Sequence, residues 1–305
     1  MKVAITGATG FVGSRLVQVL QEGGHDLTVL TRRPEAAADL FPPAEFPRLR
    51  IVAYTPLQSG PWQAEIDGCD GVVNLAGAPI AQRWTPEYKQ EVVASREQGT
   101  QRIVEAIAKT TSRPSVLVNS SAIGYYGTSE TATFDEQSPP GDDFLAEVCK
   151  RWEAAAQPAT DVGCRVVILR TGIVLGNGGA LERMIPPFKL FAGGPIGSGK
   201  QWFSWIHRED LVGLIVKALT DSTMVGAYNA TAPAPVRMQE LCQALGQVMA
   251  RPSWLPVPEF VLELLMGDAA QVVLEGQQVL PRRVRETDFS YHYSTVTKAL
   301  KDVVA

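Results

Sequence analysis

Apolar residues along this chain fall into two alternating textures: short unbroken runs, and longer stretches in which they recur every three or four positions. The first run, Lys2 to Thr6 (KVAIT), leads into a stretch where Phe11, Leu16, Val17 and Leu20 keep helical spacing until Gly23-Gly24 closes it. Strand-like runs follow at Asp26 to Leu30, Arg48 to Ala53, Gly71 to Ala76, Ser115 to Ser120 and Cys164 to Leu169. Between the later ones the period predicts helices over 86–109, with Thr85 as N-cap and Pro86 in its first position, and over Asp142 to Gln157, stopped at Pro158. Strands alternating with helices predict an α/β fold whose parallel sheet is covered on both faces.

Beyond Gly176 the texture changes. Glycine and proline become denser through Gly199, and helices are expected around 208–220, 237–249, 258–275 and 294–303, with Ser294 capping the last. Pro252 to Pro258 is expected to be a connector. The chain therefore divides into a main unit of 1–175 with 207–232 and a smaller mixed substrate lobe of 176–206 with 233–305, the second part of which includes a small C-terminal domain.

The chemistry begins at the first turn, GATGFVG, between strand and helix. Gly7 permits the tight turn, Gly10 lets backbone approach a pyrophosphate, and Gly13 lets the helix pack close to the sheet with its N–H groups aimed at phosphate. A Rossmann-type, doubly wound dinucleotide fold is the expectation, with ligands at the carboxyl ends of the strands, where Ala76-Gly77 and Ser120-Ser121 also fall. An acidic side chain at the end of the second strand would select NAD; this chain has Thr31-Arg32-Arg33 there instead. Two guanidinium groups suit a ribose 2′-phosphate, and one charge-assisted bond of roughly 1.5–3 kcal/mol already gives about a ten- to hundredfold preference for NADP(H).

Composition narrows the class. The 305 residues are 45% hydrophobic and 20% charged, enough for a large soluble domain plus a smaller one, and the net charge of -4 supplies no general field for nucleic acid or an anionic membrane. No apolar run reaches the ~18 residues of a membrane span, and no basic-then-apolar leader precedes the first strand. Cys69, Cys149, Cys164 and Cys242 lie far apart with no C-x-x-C pair, so reduced thiols rather than a metal site are expected. The expected compartment is cytoplasmic.

GATGFVG, NLAG (74–77), SREQGT (95–100), SSAIGYYG (120–127), RTGIVLG (170–176) and WFSWIHREDL (202–211) together resemble the extended short-chain dehydrogenase/reductases (SDRs). More narrowly the chain resembles their atypical, epimerase-like branch, labelled nucleoside-diphosphate-sugar epimerase or cell-division-inhibitor-like. The segment from 267 onward is similar to that branch's small terminal domain. The resemblance implies cofactor contacts from Gly7, Thr9, Gly10, Phe11, Val12 and Gly13, from Thr31, Arg32 and Arg33, from Asn74, Leu75, Ala76 and Gly77, from Ser95, and from Gly172 and Ile173 facing the nicotinamide. It also implies a homodimer through helices 86–109 and 142–157, and a small-molecule substrate.

The general family exchanges a proton through a Tyr-x-x-x-Lys pair while hydride moves to or from the nicotinamide. The corresponding helix here, DFLAEVCKRWE (143–153), places Leu145 and Cys149 at those positions, or Ala146 and Lys150 one residue along. Arg96 holds the place of the usual helix asparagine, and an ungapped match sets Ala122 on the reactive serine. Candidates for the missing acid are Ser121, Tyr125, Tyr126 and Cys149. His207 is a further candidate donor, or else fixes the turn into the next helix with Asp210 in its first turn. Gly194 to Lys200 (GPIGSGK) nearly spells a phosphate loop, but Gln201 stands where Ser or Thr should bind magnesium. The cluster Arg282, Arg283 and Arg285 is a solvated face or an anion site. Two functions remain open: an NADP(H)-dependent oxidoreductase, and a non-enzymatic NADP(H)-binding regulator.

Overall fold

Strand segments buried on both sides dictate the architecture. A computed structural model describes residues 1–304. Seven parallel strands form the main sheet: β1 (Lys2–Thr6), β2 (Asp26–Thr31), β3 (Leu49–Ala53), β4 (Gly71–Asn74), β5 (Val116–Ala122), β6 (Arg165–Thr171) and β7 (Gly226–Ala230), in spatial order 3-2-1-4-5-6-7. The order reverses direction at β1, so β1 and β4 flank the crevice in which such sheets bind ligands.

Side-chain alternation explains why both faces need cover. Val3 and Ile5 enter one core while Ala4 enters the other; β5 repeats this with Val116 and Val118 against Leu117. The first core is covered by α1 (Phe11–Glu22) through Leu16, Val17 and Leu20, and by the helix Arg208–Thr220 through Leu211, Leu214 and Ile215. The second is covered by α3 (Pro86–Lys109) through Ile103, Val104 and Ile107. α3 also packs along α4 (Phe144–Ala156).

Local signals account for the boundaries. Thr85 accepts the Tyr88 N–H at 3.2 Å and Pro86 opens α3, as the sequence indicates. Thr85→Ala is expected to lower stability by about 0.5–2 kcal/mol, read as a shift of the urea midpoint at unchanged slope. α4 starts two residues later than expected because Asp143 is its cap, accepting the Ala146 N–H at 2.8 Å. Pro158 does not end the helical path: Gln157–Val162 continues as a 3-10 turn, where proline near the start lacks no needed donor.

Three expectations fail. A short helix, α2 (Pro34–Leu40), follows β2 where no helix is expected; Pro34 opens it and only Ala37 is buried, so its period is too weak to see. β4 ends at Asn74 rather than Ala76, because Leu75 and Ala76 turn against Gly7. The helix expected over 258–275 is three pieces, Glu259–Met266, a 3-10 turn Gly267–Ala270, and Gln271–Leu274, broken at Gly267 with φ 58°.

A third core gathers Leu175, Phe188, Phe203, Trp205 and the helices Met238–Met249 and Val296–Val304; Ser294 lies two residues ahead of the latter. This is the smaller C-terminal region. Its tail returns to the main sheet: Val284 joins the first core, and Phe289 and Tyr291 pack against it. No helix among the described residues is long and apolar enough to cross a membrane.

Candidate functional site

The glycine turn lies at the β1 end of the crevice, and three glycines make its shape possible. Gly7 has φ 69°, and a Cβ there would sit 2.8 Å from the Leu75 backbone. A Cβ on Gly13 would come within 2.2 Å of the Gly7 carbonyl oxygen, so α1 can sit against the turn only with glycine at that position. Gly10 caps α1 without a side-chain bond, and the first turn carries no acidic residue. The N–H groups of Phe11, Val12 and Gly13 therefore point outward without intrahelical acceptors and with the positive end of the helix behind them. Thr9 and Gly10 are exposed at the lip, whereas the Phe11 ring packs on Gly176, Gly178 and Gly179, tying the turn to the smaller region.

At the carboxyl end of β2, Arg32 and Arg33 are exposed and make no ion pair among the described residues. Arg32 lines a cavity of about 440 Å³ with Tyr54, Gln58, Ser59 and Trp62. Tyr54 and Trp62 meet edge to face at 5.3 Å, giving the cavity an aromatic wall. Burial pushes the Tyr54 hydroxyl up to about 12 although the Arg32 charge opposes it, so this wall is neutral and the cationic side belongs to arginine. Thr31 is buried and accepts the Arg33 N–H through Oγ1 at 3.2 Å, which shapes the loop.

The third segment follows β4. Asn74, expected at the cofactor, is spent inside the sheet: Oδ1 accepts from Thr6 Oγ1 at 2.7 Å, and Nδ2 donates to Thr100 and Asn119. Ser95 acts indirectly, accepting the Ala78 N–H at 3.0 Å and donating to the Val92 carbonyl, so that it clamps the Leu75–Ala78 loop onto α3. Gly77 remains exposed, with the Arg96 guanidinium packed against it. Gly172 and Ile173 follow β6 at its carboxyl end. A Gly172 Cβ would strike the Ser204 carbonyl at 2.7 Å, so this glycine serves close backbone packing, and Ile173 packs on the third core.

Beyond β5 lies a buried polar chain that the sequence did not reveal. Glu153 on α4 accepts both forks of Arg170, Nε and Nη2, at 2.8 Å each, and the Ser121 hydroxyl at 2.7 Å. Arg170 Nη1 donates to the Tyr126 hydroxyl, which donates in turn to Asn229 Oδ1 at 2.7 Å. Burial works against the Arg170 charge, but the hydrogen bonds and charge of Glu153 outweigh it and hold the guanidinium above its usual range. The five residues come from one helix, three strands and a turn, so no local pattern announces them.

This chain sorts the candidate acids. Ser121 has its proton committed to Glu153. Tyr126 is buried, bonded on both sides, and pushed up to about 12 by burial. Cys149 is 3% exposed, faces the Ala122 carbonyl at 3.6 Å, and burial lifts its thiol to about 11. Lys150 pairs with Glu147 at 2.7 Å on the outer face of α4 and is no substitute for the family lysine. Tyr125 alone is half-buried with its hydroxyl unengaged among the described residues, its ring lying on the Arg170 guanidinium at 3.4 Å from the centroid.

The remaining motifs are structural. His207 caps the helix Arg208–Thr220, accepting the Glu209 N–H through Nδ1, and Asp210 accepts the N–H groups of His292 and Tyr293. Burial holds the His207 imidazole below its ordinary value despite the nearby Asp302, Asp210 and Glu209. The unfolded chain then takes up the proton first, so stability is lost as pH falls below the unfolded value of about 6.5. His207→Asn, which keeps a cap, should flatten the melting temperature between pH 7 and 5. The segment Gly194 to Lys200 is loop and turn, leading to the short strand Trp202–Phe203 rather than to a helix. The arginine cluster lies on a solvated face, Arg282 and Arg285 being exposed, but its donors are engaged: Arg283 donates to the Ala227 and Val225 carbonyls, Arg285 to Pro233, and Arg282 to Asp135 and Gln137. No group of three metal-ligating side chains occurs among the described residues.

The chain is similar to known proteins along its whole length. A model of the NAD dependent epimerase/dehydratase family matches residues 3–230, and one of a domain of unknown function, DUF1731, matches 257–303. The chloroplastic SDR39U1 homolog of Arabidopsis thaliana, an epimerase family protein, is 52% identical over 100% of this chain and 87% of its own. The epimerase family protein YfhF of Bacillus subtilis is 38% identical over 100% and 98%. The crystal structure of human epimerase family protein SDR39U1 with NADPH superposes with a TM-score of 0.87 at 36% identity, over 99% of both chains.

Proposed function

We propose, from the premise that this chain belongs to the NAD dependent epimerase/dehydratase family, that it is an NADP(H)-dependent oxidoreductase with Tyr125 as its proton-exchanging group. The carrying observation is the pair of unpaired arginines beside an aromatic-walled cavity at the end of β2, in line with a glycine turn that presents free N–H groups. The turn would hold the pyrophosphate; Arg32 and Arg33 would hold the ribose 2′-phosphate, and Tyr54 and Trp62 would flank the adenosine. That the human relative was crystallised with NADPH supports the same choice.

The cofactor would supply the hydride. The protein's own tasks are to orient the nicotinamide, exclude water and carry one proton. Tyr125 fits the proton task because its ring plane is fixed by Arg170 while its hydroxyl stays available. Arg170 is itself locked by Glu153, so the phenol sits on a rigid base.

Arg32→Ala is expected to weaken NADPH binding about ten- to hundredfold, with NADH affinity unchanged. Equal losses for both coenzymes would overturn the phosphate assignment. Tyr125→Phe should lower turnover with a responsive aldehyde, ketone or quinone by about 10²–10⁴ while NADPH affinity holds. A second reading, a non-catalytic NADP(H) binder, is favoured by the absence of the Tyr-x-x-x-Lys pair on α4. NADPH binding without oxidation across the whole panel would establish it.

A further inference from the structure

Arg96 is a cation without a counterion. It lies on the inner part of α3, with its guanidinium carbon 3.1 Å from where a Gly77 Cβ would be. Of its five N–H donors one is used, Nη1 to the Val92 carbonyl at 3.2 Å, and no carboxylate pairs with it. The charged partners nearest to it in principle are a thiol and a phenol, Cys149 and Tyr88. Both are neutral, since burial raises each above its usual value. The other arginines of α3 and α4, and Lys89, are paired: Lys89 with Asp268 at 2.8 Å, Arg102 with Glu105 at 2.6 Å, Arg151 with Glu147 at 2.9 Å. A half-buried guanidinium left unpaired among paired neighbours costs stability, and burial indeed pulls its proton affinity down.

The surroundings hold the group still. The Trp152 ring lies 5.0 Å from the Arg96 guanidinium, and the missing Cβ of Gly77 leaves room for it at the carboxyl edge of the sheet. Two helical turns earlier on α3, Lys89 lines another cavity, of about 560 Å³, whose carboxylates Glu263, Asp268 and Glu275 give it an acidic rim, so an anion is not drawn there. Arg96 sits beside exposed Gly77 of the loop that follows β4.

We propose that Arg96 is the specificity-determining anchor for a carboxylate on the substrate, gripping it by a two-pronged hydrogen bond beside Gly77. This rests on the oxidoreductase reading for what happens next to the anion, but the binding itself does not. A planar fork fixed against tryptophan suits a planar, two-oxygen anion better than a point charge would. The substrate class is thus a carboxylic acid bearing the reducible or oxidisable carbon near its carboxylate.

The test uses benzoate as probe and benzamide as its uncharged shape control, titrated into the NADPH-saturated protein and, in parallel, into the protein alone, by ligand-observed NMR. The wild type should bind benzoate at least about tenfold more tightly than benzamide, and Arg96→Met should erase that difference. Arg96→Lys should retain part of it. NADPH affinity in Arg96→Met should stay within about twofold of the wild type, and its melting temperature should be equal or higher, because an uncompensated charge has gone. Equal binding of the two probes to the wild type overturns the proposal, as does an unchanged preference in Arg96→Met. A loss of NADPH affinity or a lower melting temperature in that variant also overturns it, making Arg96 a cofactor ligand or a structural group. If the wild type fails to bind NADPH, the oxidoreductase reading falls, while the titration of the protein alone still decides the role of Arg96.

Discussion

Glu153→Ala is expected to destabilise the fold by about 3–5 kcal/mol, the cost of leaving a buried guanidinium without its counter-charge. Arg170 and Glu153 are 5% and 8% exposed, and the carboxylate accepts three hydrogen bonds at once. Removing it strands Arg170 Nε and Nη2 and the Ser121 hydroxyl together. Urea unfolding measures the loss. The double variant Glu153→Met with Arg170→Met should recover most of it, since a buried ion pair exchanged for apolar side chains of similar volume is often near neutral. A single-variant cost under about 1 kcal/mol would mean that water reaches the pair, and would remove the rigid base assigned to Tyr125.

Gly13→Ala should have the larger effect on binding. Its new Cβ would meet the Gly7 carbonyl oxygen at 2.2 Å, a backbone atom that cannot swing away, so α1 must lift from the turn. The expected outcome is a stability loss of about 1–3 kcal/mol and NADPH affinity reduced by more than about a hundredfold. Gly24→Ala is the control. It too has positive φ, 75°, but a Cβ there meets nothing closer than the end of the Arg48 side chain at 4.0 Å. Its cost should be limited to backbone strain of roughly 1 kcal/mol, with binding untouched. Comparable binding by Gly13→Ala and the wild type would show that the turn does not carry the cofactor.

The parts of this fold written in local sequence were legible. Thr85-Pro86 marks the start of α3 because capping chemistry needs only neighbours, and KVAIT-GATGFVG specifies strand, turn and helix within thirteen residues. The place of Arg32 and Arg33 just after β2 was legible for the same reason. What was hidden depends on distant partners. Asn74 looks like a ligand-facing residue until β1 and β5 bring Thr6 and Asn119 to it. Ser121 looks like a proton donor until α4 brings Glu153 against it. The arginines at 282–285 resemble an anion site on paper, yet distant partners take up their donors: carbonyls beside β7 for Arg283, the Pro233 carbonyl for Arg285, and Asp135 and Gln137 for Arg282. Gly267 broke a helix whose apolar period gave no warning, its φ of 58° being a backbone conformation that glycine adopts without a Cβ penalty.

Every binding role proposed above depends on a cradle that would select a phosphorylated dinucleotide through guanidinium groups at the end of β2. Isothermal calorimetry of the wild-type protein with NADPH and NADH, at one low and one moderate salt concentration, tests it most directly. NADPH should bind at least about tenfold tighter than NADH, with the gap narrowing as salt screens the phosphate contact. Equal affinities at both salt concentrations, or no heat with NADPH, would contradict it.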